Sequence, residues 1–115
     1  MTHPSQRLDN AVHQRTRLGI LTVLAGATRV DFTFLRDTLA LTDGNLSRNV
    51  TVLEAAGYIE VSKVFDGRRP RTWITVTPAG REALAAEVAA LREIVATVER
   101  QSAPVLRPAP RAGTA

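Results

Sequence analysis

Two clusters of side chains in this sequence have the types and spacing to do chemistry, and in both the chemistry is recognition of a polyanion. The first is the run TDGNLSRNVTVLEAA over residues 42–56. At helical spacing, Leu46, Val50 and Leu53 share one stripe. Gly44, Arg48, Thr51 and Ala55 share the opposite one, flanked by Ser47 and Val52. Small outward residues admit close approach to a nucleic-acid groove, hydroxyls bond phosphates or bases, and an arginine reads guanine with two hydrogen bonds. In the first turn, exposed backbone amides attract a phosphate. The candidate reading surface is Asp43, Gly44, Asn45, Ser47, Arg48 and Thr51, with Asn45 at its edge. Taken alone, an ordinary surface helix would read the same way. The second cluster shifts the balance. Gly67, Arg68, Arg69 and Arg71 surround Pro70, with Lys63 on the preceding β-rich run. Concentrated positive charge on a projecting loop suits phosphate or minor-groove contact.

The elements that must position these clusters are legible in outline. Residues 8–26 read as helical, with a gap in the apolar stripe over residues 13–17 that suggests a kink, and Gly26 as the stop. Asp31 is suited to cap a short helix over residues 32–40. Thr42 caps the next, and Leu41 with Leu46 forms a hydrophobic staple that fixes its entry angle. Gly57 ends it. Residues 58–65 and 71–76 are β-rich. Asp66 and Gly67 turn between them, and Pro70 limits pairing near the loop. Thr77 followed by Pro78 starts a last helix that continues to about residue 100. The order is three helices, a hairpin and a long helix, which is a mostly α (α+β) chain. Residues 1–100 form one domain. Residues 101–115, rich in Pro, Ala and Arg, read as a disordered basic tail.

Composition narrows the function classes. The chain has 115 residues, a formal net charge of +4 and no cysteine. One domain with a real core is expected, and disulfides, zinc ribbons and thiol catalysis are excluded. Lys63 is the only lysine, so arginine carries nearly all the positive charge. No N-terminal apolar segment reads as a signal peptide, and no apolar run approaches a membrane span. A cytoplasmic protein without membrane contact is expected. No GxSxG, P-loop or GxGxxG pattern is present, so catalysis and a bound cofactor find no support.

The last helix carries a further pattern. Leu84, Val88, Leu91, Val95 and Val98 alternate spacings of four and three, a coiled-coil-like seam. So long a helix overhangs a small body, which points to a homodimer with Leu8 and Val12 of the first helix as the second part of the interface. Asp9 and His13, four apart, are too few for a metal site. Trp73 is expected to pack across the hairpin, and Phe34 on the first helix.

Together these residues resemble a known group. TDGNLS over residues 42–47, AGYIE over 56–60 and GRRPRT over 67–72, at this spacing, are similar to the winged helix-turn-helix transcriptional regulators of the MarR/ArsR-like class, over about residues 8–95. The resemblance implies a winged helix with a two-stranded β-hairpin wing, a long C-terminal dimerisation helix and sequence-specific binding of double-stranded DNA. It makes residues 43–56 the recognition helix and residues 66–71 the wing. The expected function is a homodimeric repressor on a palindromic operator. The alternatives are a winged-helix protein-interaction adaptor without an operator, and a metal- or ligand-gated sensor of the same fold.

Overall fold

The computed structural model describes residues 3–101. A 3-10 turn over Pro4–Arg7 precedes α1 (Arg15–Ala25), β1 (Val30–Asp31), α2 (Phe32–Thr38), α3 (Asp43–Ala55), β2 (Ile59–Asp66), β3 (Arg69–Val76) and α4 (Pro78–Gln101). The winged arrangement and the hairpin followed by a long helix are as expected. Of the expected tail, all but Gln101 lies outside the described residues.

Local sequence sets most helix ends. The Asp31 carboxylate accepts from the amides of Thr33 and Phe34, and the Thr42 hydroxyl accepts from the amide of Asn45. Each satisfies donors that a helix start leaves open. The Thr77 hydroxyl does the same for Gly80 N at the start of α4. At the end of α3, Gly57 has φ +81, and the amides of Gly57 and Tyr58 bond the carbonyls of Glu54 and Leu53. That is the paired bonding of a left-handed helix terminus. Ala40 does the same after α2 without being glycine, at φ +55, with Leu41 N bonded to Arg36 O.

Residues 8–26 break at the expected kink, but the part before it is not helical. Only Arg15–Ala25 is helical, capped by the Gln14 side chain, which accepts from Arg17 N. The preceding residues turn instead, with Ala11 N bonded to the Asp9 carboxylate and Val12 N to Asp9 O. The turn drives Val12 fully into the core. Burial of one valine and local side-chain bonds outweigh a stretch that had no continuous apolar stripe to bury as helix.

The sheet has three strands in the order β1-β3-β2, all antiparallel neighbours. Two residues are too few to leave a period in the sequence, so β1 was not foreseen. Pro70 does not shorten the hairpin. Pairing runs from Ile59↔Val76 out to Asp66↔Arg69, with Pro70 opposite Phe65. The connection is therefore only Gly67 and Arg68, with Gly67 at φ +66. The core gathers Ile20, Leu21 and Leu24 of α1, Leu35 of α2, Leu46, Val50 and Leu53 of α3, and Ile59 and Ile74 of the sheet. Alternation puts Ile59, Val61, Lys63 and Phe65 on the inner face of β2, so that face begins in the core and ends beyond it.

Candidate nucleic-acid interface

α3 buries Leu46, Asn49, Val50 and Leu53 and turns Gly44, Ser47, Arg48 and Thr51 outward. This is the division expected from the spacing, apart from the depth of Asn49. The Arg48 guanidinium lies back over the first turn, where a Cβ on Gly44 would sit 3.5 Å from its Nη1. Among the described residues Arg48 has no ion-pair partner. The exposed Thr51 hydroxyl donates to Ser47 O, 3.0 Å away.

Two of the six expected reading residues are otherwise engaged. Asp43 accepts from Arg36 of α2 at 2.8 Å. Asp43 first, then Asp37, push the Arg36 guanidinium above its already high ordinary value. The pair ties the two helices of the motif together, with one guanidinium shared between the Asp37 and Asp43 carboxylates. Asn45 accepts from Asn49 Nδ2 through both its backbone oxygen and its side-chain oxygen, at 2.9 and 3.0 Å.

The wing divides as sharply. Lys63, Gly67, Arg68 and Arg69 are exposed. Lys63 lines the crevice between wing and α3 together with Ser47, Thr51, Thr72 and the carboxylate-bearing Glu54. Neither it nor Arg68 nor Arg69 has an ion-pair partner among the described residues. Arg71 differs. Its guanidinium lies 3.4 Å from Asp31 and 3.9 Å from Asp66. It also leans toward the Trp73 ring, which Arg29 covers at 3.7 Å from the centroid. Trp73 therefore stacks with cations on the outer sheet face, and Arg71 braces the hairpin against β1.

Behind the surface lies a polar network that sequence reasoning missed. Arg17 of α1 donates to Ala11 O at 2.7 Å, to Asn49 Oδ1 at 2.9 Å and to Asn10 O at 3.2 Å. Glu87 of α4 is 1% exposed. Its carboxylate accepts from Asp9 N at 3.2 Å and lies 2.6 Å from His13 Nδ1. The Tyr58 hydroxyl donates to Asp9 at 2.5 Å. That bond, aided by the amides of Ala11 and Val12 and opposed by burial, holds the Asp9 carboxyl below the usual range. The same bond pushes the Tyr58 hydroxyl up. One signal existed: Glu87 follows Leu84 by three and precedes Leu91 by four, a carboxylate on an apolar stripe. Asp9 and His13 thus have structural partners. Among the described residues no three His, Cys, Asp or Glu side chains converge on a metal position.

The residues expected at a dimer seam separate into two groups. Val12 is spent in the chain's own core, and Leu84 packs against that core. Leu8 and Leu91 are half-buried. Val88, Val95 and Val98 are 37%, 55% and 55% exposed along the outer part of α4. Phe34, expected on α1, is instead 57% exposed and lines a groove with Asp37 and Pro70. No helix among the described residues is long and apolar enough to cross a membrane.

A helical pair ending in an outward-facing helix, flanked by a basic hairpin, defines a winged-helix DNA-binding domain. Residues 16–95 match the model of the winged helix DNA-binding domain family, and the chain belongs to that family, one of DNA-binding domains rather than enzymes. Over 67 residues it is 39% identical to an uncharacterised protein of Methanocaldococcus jannaschii, spanning 58% of this chain and 73% of that one. A transcriptional regulator homologue protein from Pyrococcus horikoshii matches with TM-score 0.79 and 27% identity, over 86% of this chain and 99% of that one. The Mycobacterium tuberculosis transcriptional regulator MosR, solved in complex with DNA, gives TM-score 0.65 at 23% identity over 87% of this chain and 71% of that one. At that identity the likeness is one of fold.

Proposed function

We propose that this protein is a sequence-specific transcriptional regulator that binds double-stranded DNA as a homodimer and represses by occupying a palindromic operator. The observation that carries the reading is the placement of Arg48, Lys63, Arg68 and Arg69. All four are exposed and lack ion-pair partners among the described residues. The nearby carboxylate of Asp43 is paired with Arg36, which also bonds Asp37, and Glu54 is the acidic residue that shares the crevice with Lys63. A phosphate backbone rewards exposed cations that are not spent on partners within the fold. Gly44, Ser47, Arg48 and Thr51 face the major groove, and Arg48 reads a base edge. Lys63, Arg68 and Arg69 hold phosphates or the minor groove. That MosR is a regulator solved with DNA on the same fold agrees with this reading.

The dimer reading is supported by the outer stripe of α4. Its 24 residues extend roughly 36 Å, and Val88 and Val95 stand exposed with Leu91 between them. A two-fold dimer through this stripe sets two recognition helices about 34–36 Å apart, one turn of DNA. Selection of bound duplexes from a random pool with the purified protein tests the whole reading. Enrichment of a palindrome with half-sites one turn apart is the expected result. Absence of any enriched sequence overturns specific regulation and favours the adaptor.

A further inference from the structure

The wing ends in an aromatic side chain that the fold does not use. Phe65 is 75% exposed, the highest value among the exposed large hydrophobic residues described. The inner face of β2 passes from Ile59 and Val61 in the core to Lys63 beside α3 and then to Phe65 past the edge of the body. Opposite it in register stands Pro70, so the tip of that face is an apolar pair. Lys63 lies two residues back on the same face, Arg68 sits in the turn, and Arg69, opposite Asp66, lies on the other face; none of the three has an ion-pair partner among the described residues. The one carboxylate at the tip, Asp66, lies 3.9 Å from Arg71 on the other face.

A solitary exposed phenylalanine needs no explanation when it lies on a convex surface among neutral neighbours. This one stands at the end of a projecting ribbon, on the side that faces α3, with Lys63 on its own face and Arg68 in the adjoining turn. With α3 in a major groove, a hairpin beside it reaches over the phosphate ridge toward the adjoining minor groove. Cations meet the phosphates there, and a flat apolar side chain meets sugar and base edges. Minor-groove proteins use phenylalanine and proline in this way, partly unstacking a base step to bend the duplex.

We infer that Phe65, backed by Pro70, is an apolar wedge that the wing inserts into the minor groove flanking the site read by α3. The inference rests on the DNA-binding reading above. The wedge adds affinity that does not depend on salt, because it releases no counterions, and it favours easily unstacked pyrimidine–purine steps beneath the wing. A second copy of the chain is the less fitting occupant, since two such tips would bring like charges together.

The test compares wild type, Phe65→Ala and Phe65→Leu on the duplex enriched from the random pool, with 2-aminopurine placed at each step of the flanks. Affinity is measured across a salt series. Phe65→Ala is expected to bind about tenfold more weakly, the loss of one aromatic contact with a base. It should keep the wild-type slope of log affinity against log salt and lose the 2-aminopurine fluorescence rise at one flanking step. Phe65→Leu should retain most of both. Unchanged affinity and fluorescence in Phe65→Ala overturn the wedge while leaving DNA binding intact, as does a change of oligomeric state with DNA affinity unaltered. If the wild type enriches no duplex, the functional reading itself fails first.

Discussion

Arg17 of α1 and Asn49 of α3 are joined by a 2.9 Å hydrogen bond from Nη1 to Oδ1, and this link reaches the back of the helix whose front faces outward. Asn49 passes it on by donating to Asn45 in the first turn. α3 is therefore held by hydrogen bonds of fixed geometry as well as by apolar contact. Apolar contact alone permits small rotations, whereas a bonded amide in a buried site does not.

Asn49→Ala leaves the Arg17 guanidinium short of an acceptor and removes the back-bond to Asn45. Stability should fall by about 1–3 kcal/mol, as for a buried polar group left unpaired. Denaturant titration measures this. Affinity for the selected duplex should fall as well, although Asn49 faces inward. Full affinity at unchanged salt dependence would show that the link does not aim the helix.

Tyr58 and Asp9 give the protein two pH limits. The folded Asp9 carboxyl lies below its ordinary value, chiefly because of the Tyr58 hydroxyl. Its contribution is present above the unfolded value of about 3.9 and is lost as pH falls through the lower folded value. The Tyr58 hydroxyl lies above its ordinary value of about 10 because of Asp9. Its contribution is complete below about 10 and is lost as pH rises through the raised folded value. Tyr58→Phe should cost about 1.5–3 kcal/mol at neutral pH, the range for a hydrogen bond to a charged group. It should also flatten both limbs of a stability–pH curve. A parallel downward shift with both limbs intact would contradict the pairing.

The arginines of the wing separate by experiment. Arg69→Ala should weaken binding to all sequences alike and reduce the salt slope by about one. Arg71→Ala should leave the slope near wild type and change stability by less than about 1 kcal/mol, the range for partly exposed ion pairs. Arg48→Ala should cost about 1–3 kcal/mol at one base pair only. Equal loss on every sequence would remove Arg48 from the reading role.

Gly80 permits the close approach of α4 to the start of β2. A Cβ there would lie 2.1 Å from Tyr58 O and 2.9 Å from Val76 Cγ2. The clash is with backbone, so Gly80→Ala should destabilise by roughly 1–3 kcal/mol despite alanine's better helix propensity. A raised melting temperature would contradict this packing.

Val95→Asp tests the dimer. The side chain is more than half exposed, so the protomer should keep its melting behaviour in dilute solution. If the proposed dimer forms through α4, sedimentation should show it for the wild type and monomer for Val95→Asp, and affinity for a selected palindrome should drop toward that for a half-site. A dimer that survives would place the interface elsewhere.

Sequence by itself determined what depends on neighbours along the chain. Asp31, Thr42, Thr77 and Gly57 mark helix ends because caps are bonds across two to five residues. The outward set of α3 follows from helical spacing, and the cations of the wing follow from composition and a glycine turn. Tertiary structure alone decided which of those side chains stay available. Arg71 and Asp43 carry ion pairs that their local sequence does not announce, to Asp31 of β1 and to Arg36 across the turn between α2 and α3. The two-residue β1, the inward turn of Val12 and the burial of Glu87 between Asp9 and His13 have the same origin. Each depends on groups tens of residues apart meeting in space, where desolvation makes a buried polar group find its partner. The stripe of α4 marks Glu87 as an inward carboxylate, but no period or motif in the chain names its partners.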